Sequence, residues 1–264
     1  MRRSTVLFCC IFLALGISIE GNAFEASGFP VLRVLSYNIH HGEGVDRQLD
    51  LERIATTILS VEPDVVSLQE VDRETRRTGG VDQAKELARL TNMEVVFGAS
   101  MDYQGGQYGN AVLTRFPVQD VEVIPLPGEP RSALCVTLQW PGRSEPQGTF
   151  RFVATHLDTS AEPRRASVPL INAALESGGE LPTILAGDLN ALPESPTMVA
   201  LGAEWEDATG AHGLFTVPVG DPKRQIDYVL YRPQTRWTVL GAEVLDEAVA
   251  SDHRPILAVL QRVP

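Results

Sequence analysis

The sequence predicts an α/β domain in which two β-sheets pack face to face and helices cover them. Three observations carry this. About a dozen segments are strand-like, rich in β-branched and aromatic residues; few segments show helical spacing; and the strands come in runs instead of alternating strictly with helices. A single doubly wound sheet would place a helix after nearly every strand, so two packed sheets are the better architecture.

The elements follow in order. Val31 to Tyr37 reads as a strand, and Asp50 can cap a helix on which Leu51, Ile54, Ala55, Ile58 and Leu59 share a face. Pro63 ends that helix and Asp64 to Gln69 is the next strand. A second helix fits Asp82 to Thr91, where Ala84, Leu87, Ala88 and Thr91 line one side. Strands then dominate: Glu94 to Phe97, Asn110 to Thr114, Val118 to Ile124, Ala133 to Trp140 and Phe150 to His156. A helix near Pro169 to Leu175, with the proline in its first turn, precedes a strand at Thr183 to Ala186. Ile226 to Tyr231, Trp237 to Leu245 and Ile256 to Leu260 complete the count.

The N-terminus stands apart. Arg2 and Arg3 precede a fourteen-residue uncharged apolar run, Val6 to Ile19, which is short for a bilayer span. Gly21 and Ala23 are the small residues a signal peptidase prefers, so residues 1–23 read as a signal peptide and 24–264 as one domain. An uncleaved membrane anchor is the alternative. Cys9 and Cys10 lie inside the run without the small residues of a lipidation site. Export, to the periplasm or beyond, is therefore the expectation. Removing 1–23 takes away Arg2, Arg3 and Glu20 and moves the formal charge from -12 to -13. Such a balance disfavours broad attraction to nucleic acid or anionic membranes. Only Cys135 remains in 24–264, so the core must hold the domain together without intramolecular disulfides.

Polar residues fall where apolar strands end: Asn38, Glu70, His156, Asp188 with Asn190, and Asp227, while Asp252 and His253 precede the last strand. Strand ends are where rigid scaffolds present reactive groups. Each residue alone has an easy structural explanation, as a turn former, a solvated strand end or a hydrogen-bonded packing residue. Their coincidence is what points to a site. No Gly-x-Ser-x-Gly elbow is present, which removes the commonest serine nucleophile.

The segments LSYNIH (35–40), VVSLQEVD (65–72), YGNAVLTRFPV (108–118), ATHLD (154–158), LAGDLNALP (185–193), QIDYVLY (225–231) and SDHRPI (251–256) occur in the order seen in the endonuclease/exonuclease/phosphatase superfamily, which the chain resembles over nearly all of 24–264. The resemblance implies a four-layer α/β/β/α sandwich of two mixed β-sheets flanked by helices. It also implies a divalent-metal-dependent hydrolase of phosphate esters. Glu70 would be the leading metal ligand, with Asn38 beside it and Asp252 contributing through oxygen or water. Asp188 would orient and help deprotonate the attacking water, and Asn190 would hydrogen-bond the substrate phosphate. Asp227 would hold His253 in one tautomer as the acid/base, and His156 would bind a phosphate oxygen. Deoxyribonuclease I, a member, has a glutamate beside the counterpart of His156, where this chain has Asn110, with Tyr108 close enough to share the role. A neutral amide stabilises an imidazolium less than a carboxylate does, so His156 reads as a phosphate-binding donor rather than a strong acid.

A phosphodiester is anionic and repels hydroxide, so a hard cation must neutralise it, and hard cations take oxygen ligands. Magnesium is the first expectation and manganese the second; the sequence shows no Cys/His cluster that would speak for zinc. His40 and His41 read as solvated loop residues, and Arg131 as a surface ion pair before a phosphate contact. Arg73, Arg76 and Arg77, with Gly79 and Gly80, read equally as a mobile basic lip or a solvated charge run. The substrate expected is a phosphate ester, with a phosphodiester favoured. A nuclease is the alternative, weakened by scattered arginines on an acidic background. A non-catalytic binding module on the same fold is the competing class, and the full set of polar residues argues against it.

Overall fold

The computed structural model describes residues 30–140, 148–176, 181–210 and 213–263. In chain order the elements are β1 (Val31–Asn38), α1 (Leu51–Leu59), β2 (Val65–Arg73), α2 (Gln83–Thr91), β3 (Glu94–Tyr103), β4 (Gly106–Thr114), β5 (Val118–Leu126) and β6 (Arg131–Gln139). They continue with β7 (Thr149–His156), α3 (Ala161–Glu176), β8 (Thr183–Asp188), α4 (Pro196–Leu201), β9 (Glu206–Asp207), β10 (Asp227–Arg232), β11 (Trp237–Val244) and β12 (Ile256–Arg262).

Two six-stranded sheets result, ordered β11-β12-β1-β2-β4-β3 and β5-β6-β7-β8-β10-β9. Both are mixed: β1 with β2 and β7 with β8 are parallel, and the remaining pairs are antiparallel. Antiparallel neighbours need only a turn, but parallel ones need a crossover, and α1 and α3 supply the two crossovers. Asp50 caps α1 by accepting from Arg53 N at 2.9 Å, and Asp82 caps α2 by accepting from Lys85 N at 3.2 Å.

Three apolar layers hold the sandwich. Between the sheets lie Leu32, Val34, Val112, Leu134, Phe150, Phe152, Ala186, Val229 and Leu260. Ile54, Ile58, Ala84 and Leu87 seal α1 and α2 against the outside of the first sheet, and Val168, Ile171, Leu175 and Leu201 seal α3 and α4 against the second. The order is thus helix, sheet, sheet, helix. Phe152 has no exposed surface. Phe152→Ala is expected to cost about 3–5 kcal/mol of stability, measured as a drop in the urea midpoint with unchanged slope.

Four local readings change. Helix α3 begins at Ala161, so Pro169 sits in its middle and not in its first turn. Pro169 lies on the exposed side of α3, where water can meet the carbonyl that its ring leaves without a partner. Strand β3 runs to Tyr103, well past Phe97, because it forms a hairpin with β4 through Gln104 and Gly105. Strand β2 continues past Gln69 to Arg73 through an irregularity between Leu68 and Val71. Helix α4 and the short β9 were not foreseen, being too brief to show a period.

Candidate active site

The two parallel pairs set the site. Their C-terminal ends lie together, as ligand sites in α/β sheets commonly do. In the first sheet Asn38 at the end of β1 pairs in register with Gln69 of β2. In the second, His156 at the end of β7 pairs with Asp188 at the end of β8, and Asp227 at the start of β10 also pairs with Asp188. Across the sheets, Asn38 Nδ2 donates to Asp188 Oδ2 at 3.2 Å and to Glu70 Oε1 at 3.1 Å.

Glu70 occupies the irregularity in β2 with φ +59°, in the left-handed region that non-glycine residues seldom enter. A bulge re-aims one side chain without ending the strand, and here that side chain is Glu70. Asp188 is 2 % exposed and accepts from Asn190 N at 2.9 Å through Oδ1. Its Oδ2 lies 3.4 Å from His156 Nε2 and 3.7 Å from His253 Nε2. Asn190, itself at φ +49°, gives one amide hydrogen to Leu157 O at 3.0 Å, so a second amide hydrogen remains for a ligand.

His253 is fixed from behind. Its Nδ1 lies 2.9 Å from Asp227 Oδ2, the same oxygen that accepts from Thr216 Oγ1 at 2.5 Å. Ser251 Oγ donates to Asn38 O at 2.7 Å and accepts from His253 N at 3.3 Å, docking the 251–253 turn onto the end of β1. Asp252 is exposed beside it, its Oδ1 3.4 Å from Ser251 Oγ.

The model of the Endonuclease/Exonuclease/phosphatase family matches residues 35–253, an interval that runs from just before Asn38 to His253. The chain belongs to this family. It is therefore a metal-dependent hydrolase acting on phosphate ester bonds. The uncharacterized protein YbhP of Escherichia coli (strain K12) is 25% identical over 244 residues, covering 86% of this chain and 94% of that protein. An endonuclease/exonuclease/phosphatase from Beutenbergia cavernae DSM 12333 superposes with a TM-score of 0.71 at 27% identity, over 88% of this chain and 72% of the other. A mannosyl-6-phosphatase of Bacteroides thetaiotaomicron VPI-5482 shares the fold, with a TM-score of 0.70 at 19% identity over 87% of this chain and 99% of that one.

Within this family member, the neighbour of His156 differs from the sequence expectation. Asn110 is buried and donates to Ser132 O at 2.9 Å. The group beside His156 Nδ1 is Arg131 Nη1, at 3.2 Å, which also donates to Tyr108 Oη at 3.3 Å. A guanidinium only donates, so Nδ1 accepts and the ring proton sits on Nε2, facing Asp188. Burial, then the charges of Arg131 and His253, hold the His156 pKa well below the ordinary histidine value. His156 is thus a neutral donor, as the sequence implied, but the causes are burial and the charge of Arg131 at Nδ1 rather than Asn110. Arg131 is also no simple surface pair: its Nη2 reaches Glu129 Oε2 at 2.7 Å from inside the cleft wall.

Burial alone would lower the His253 pKa, but the Asp227 carboxylate and its hydrogen bond, with Asp188 and Asp252 adding, raise it to about 10. Burial and the charge of Asp227 raise Asp188 to about 7, against the pull of His253, Asn190 and Asn38. The site therefore holds one cationic and one neutral imidazole on either side of a carboxylate of near-neutral pKa.

Donor chemistry tests whether a cation fits. Asn38 Oδ1 accepts from His40 N at 3.1 Å, and its amide nitrogen faces both carboxylates. Asn38 thus ties Glu70 to Asp188, and Glu70 is a carboxylate that could hold an ion. The cluster is completed by His40 and His41, one ligand atom of each lying within 4.8 Å of the others and of Glu70. His41 is only 9% exposed, so it is not a solvated loop residue. A second trio, Asp188, Asp227 and His253, meets the same distance criterion but is already bound together by its own ion pair.

Sequence reasoning missed Thr216 and Ser251 and undervalued Arg131. Ser251 was in view in the SDH segment, whereas Thr216 lies in a loop with no motif of its own. Two of the three arginines of the basic lip are held in place. Arg77 is bidentate to buried Asp72 at 2.7 and 2.8 Å and stacks over Tyr103, and Arg73 lies over Phe97. Arg77, Tyr103, Tyr108, Met101, Pro130 and Arg131 wall a cavity of about 340 Å³ that opens beside Glu70.

Proposed function

We propose that this chain is an exported phosphodiesterase that hydrolyses its ester by in-line attack of water held at Asp188. The observation that carries the reading is Asp188 itself: a buried carboxylate of near-neutral pKa set between two histidines and tied to Glu70 through Asn38. A bound divalent cation, magnesium or manganese, supplies charge neutralisation for the anionic phosphate. Glu70 would hold that ion, with Asn38 orienting Glu70 and Asp252 contributing from the rim. Asp188 takes the proton of the attacking water. Asn190 and His156 Nε2 donate to phosphate oxygens, and His253, kept cationic by Asp227, donates to the oxygen that gathers charge. Asn110 supports this wall from behind, and Tyr108 presents Arg131. The walled cavity beside Glu70 receives the group beyond the phosphate, which suits a compact substituent better than a duplex.

Export rests on the Val6 to Ile19 run and the Ala23 cleavage point. One experiment covers both parts. Protein recovered from the cell envelope or medium is weighed intact and assayed with magnesium or manganese on a bis-nitrophenyl ester, a monoester, plasmid DNA, sphingomyelin and phosphatidylinositol. The expected results are a mass beginning at Phe24 and metal-dependent cleavage of a diester, lowered about 10²–10³-fold by Glu70→Gln. Monoester turnover alone would overturn the phosphodiesterase reading, DNA cleavage alone would turn it to a nuclease, and an unprocessed chain confined to the cytoplasm would end the claim of export.

A further inference from the structure

His40 and His41 are placed as metal ligands are placed. His40 Nδ1 lies 3.0 Å from the Glu43 carbonyl oxygen. A carbonyl only accepts, so the ring proton is on Nδ1 and Nε2 carries a free lone pair. A ligating histidine is oriented in this way, with one nitrogen donating to a carbonyl and the other facing the ion. His41 is buried, and its Nδ1 has no hydrogen-bond partner among the described residues. The two rings stand 4.5 Å apart between centroids, edge to face, and a ligand atom from each lies within 4.8 Å of one from Glu70.

The backbone at all three residues is left-handed. His40 and His41 both have φ +46° and Glu70 has φ +59°. Left-handed conformations at bulky residues are costly, and they persist where the surroundings over-determine them. Here Gln83 Nε2 donates to His41 O at 2.6 Å and pins the turn against α2.

We propose that His40 and His41 ligate the catalytic cation together with Glu70, forming a mixed nitrogen–oxygen seat that prefers manganese to magnesium. This rests on the metal-dependent reading above and deepens it. Magnesium demands oxygen donors in near-ideal octahedral array and dehydrates reluctantly, whereas imidazole suits the later divalent ions. A seat built from a carboxylate alone would not discriminate in this way.

The test is pulsed electron paramagnetic resonance of the full chain loaded with manganese, with metal affinities titrated in parallel. Wild-type protein is expected to show ¹⁴N modulation from directly bound imidazole. His40→Gln/His41→Gln is expected to lose it, with manganese affinity falling about 10–100-fold and magnesium affinity less than threefold. Circular dichroism checks that the double variant folds. Should it not, the wild-type spectrum decides alone, with His40→Gln expected to weaken the modulation. Manganese bound without ¹⁴N modulation, or equal loss of both affinities, overturns the proposal. The spectrum is independent of turnover, so nitrogen-coupled manganese in a protein that cleaves no diester would leave this seat standing and sink the phosphodiesterase.

Discussion

Asp188→Asn is expected to lower kcat on a diester about 10³–10⁴-fold with KM little changed, because the amide keeps the shape but cannot take a proton. Asn38, His156 and His253 would still surround the side chain, so metal affinity should stay near the wild-type value. A steady-state assay beside a metal titration checks this. In the wild type the ascending limb of the rate profile should lie at or below pH 7. Asp188 must be ionised to act as base, its pKa without the cation is about 7, and a cation near Glu70 pulls it lower. Full activity of the Asn variant would remove Asp188 from the role of base.

The second large effect is expected for Asp227→Asn. That substitution removes the largest of the charges that raise His253 and leaves Asp188 and Asp252 against the burial that lowers it. His253 then holds its proton less tightly and loses its orienting partner, and the loss in kcat is expected to be about 10³–10⁴-fold, as for other orienting carboxylates behind a histidine. The variant also has a stability signature. Folded His253 holds its proton more tightly than an unfolded histidine, so its contribution is complete below about pH 6.5 and is lost as pH rises through about 10. Wild-type Tm should therefore carry a falling contribution between those limits, and Asp227→Asn should reduce it. A Tm profile of unchanged slope would show that the pair does not hold the proton as described. Thr216, which shares Asp227 Oδ2, should still donate to the amide oxygen and keep the loop in place.

Much of this was legible because strand ends advertise themselves. An apolar strand that stops on Asn38, His156 or Asp188 announces a polar group at a fixed place, and the parallel registers then bring Asn38 beside Gln69 and His156 beside Asp188. Sequence reading falters where one residue breaks the period. Glu70 reads as a strand end, yet β2 continues beyond it, because a bulge leaves no mark in composition. Arg131 was undervalued for a different reason: its partners Tyr108 and His156 are 23 and 25 residues away, and only the pairing of β6 with β7 and the packing of that sheet against β4 bring them together. The same holds for His41, whose burial depends on α2 folding over it through Gln83.

The bond from Asn38 Nδ2 to Asp188 Oδ2 joins residues 150 apart in the chain and one sheet to the other. Ser67 Oγ to Ala186 O, at 2.8 Å, is a second such tie in the buried interior. In the proposed mechanism the ion's ligands hang from one sheet and the water's base from the other, so a chain with a single sheet formed would have half an instrument. On that mechanism hydrolysis becomes a readout of docking: a lesion that lets the two sheets slip along their shared face is expected to silence the enzyme before it unfolds it.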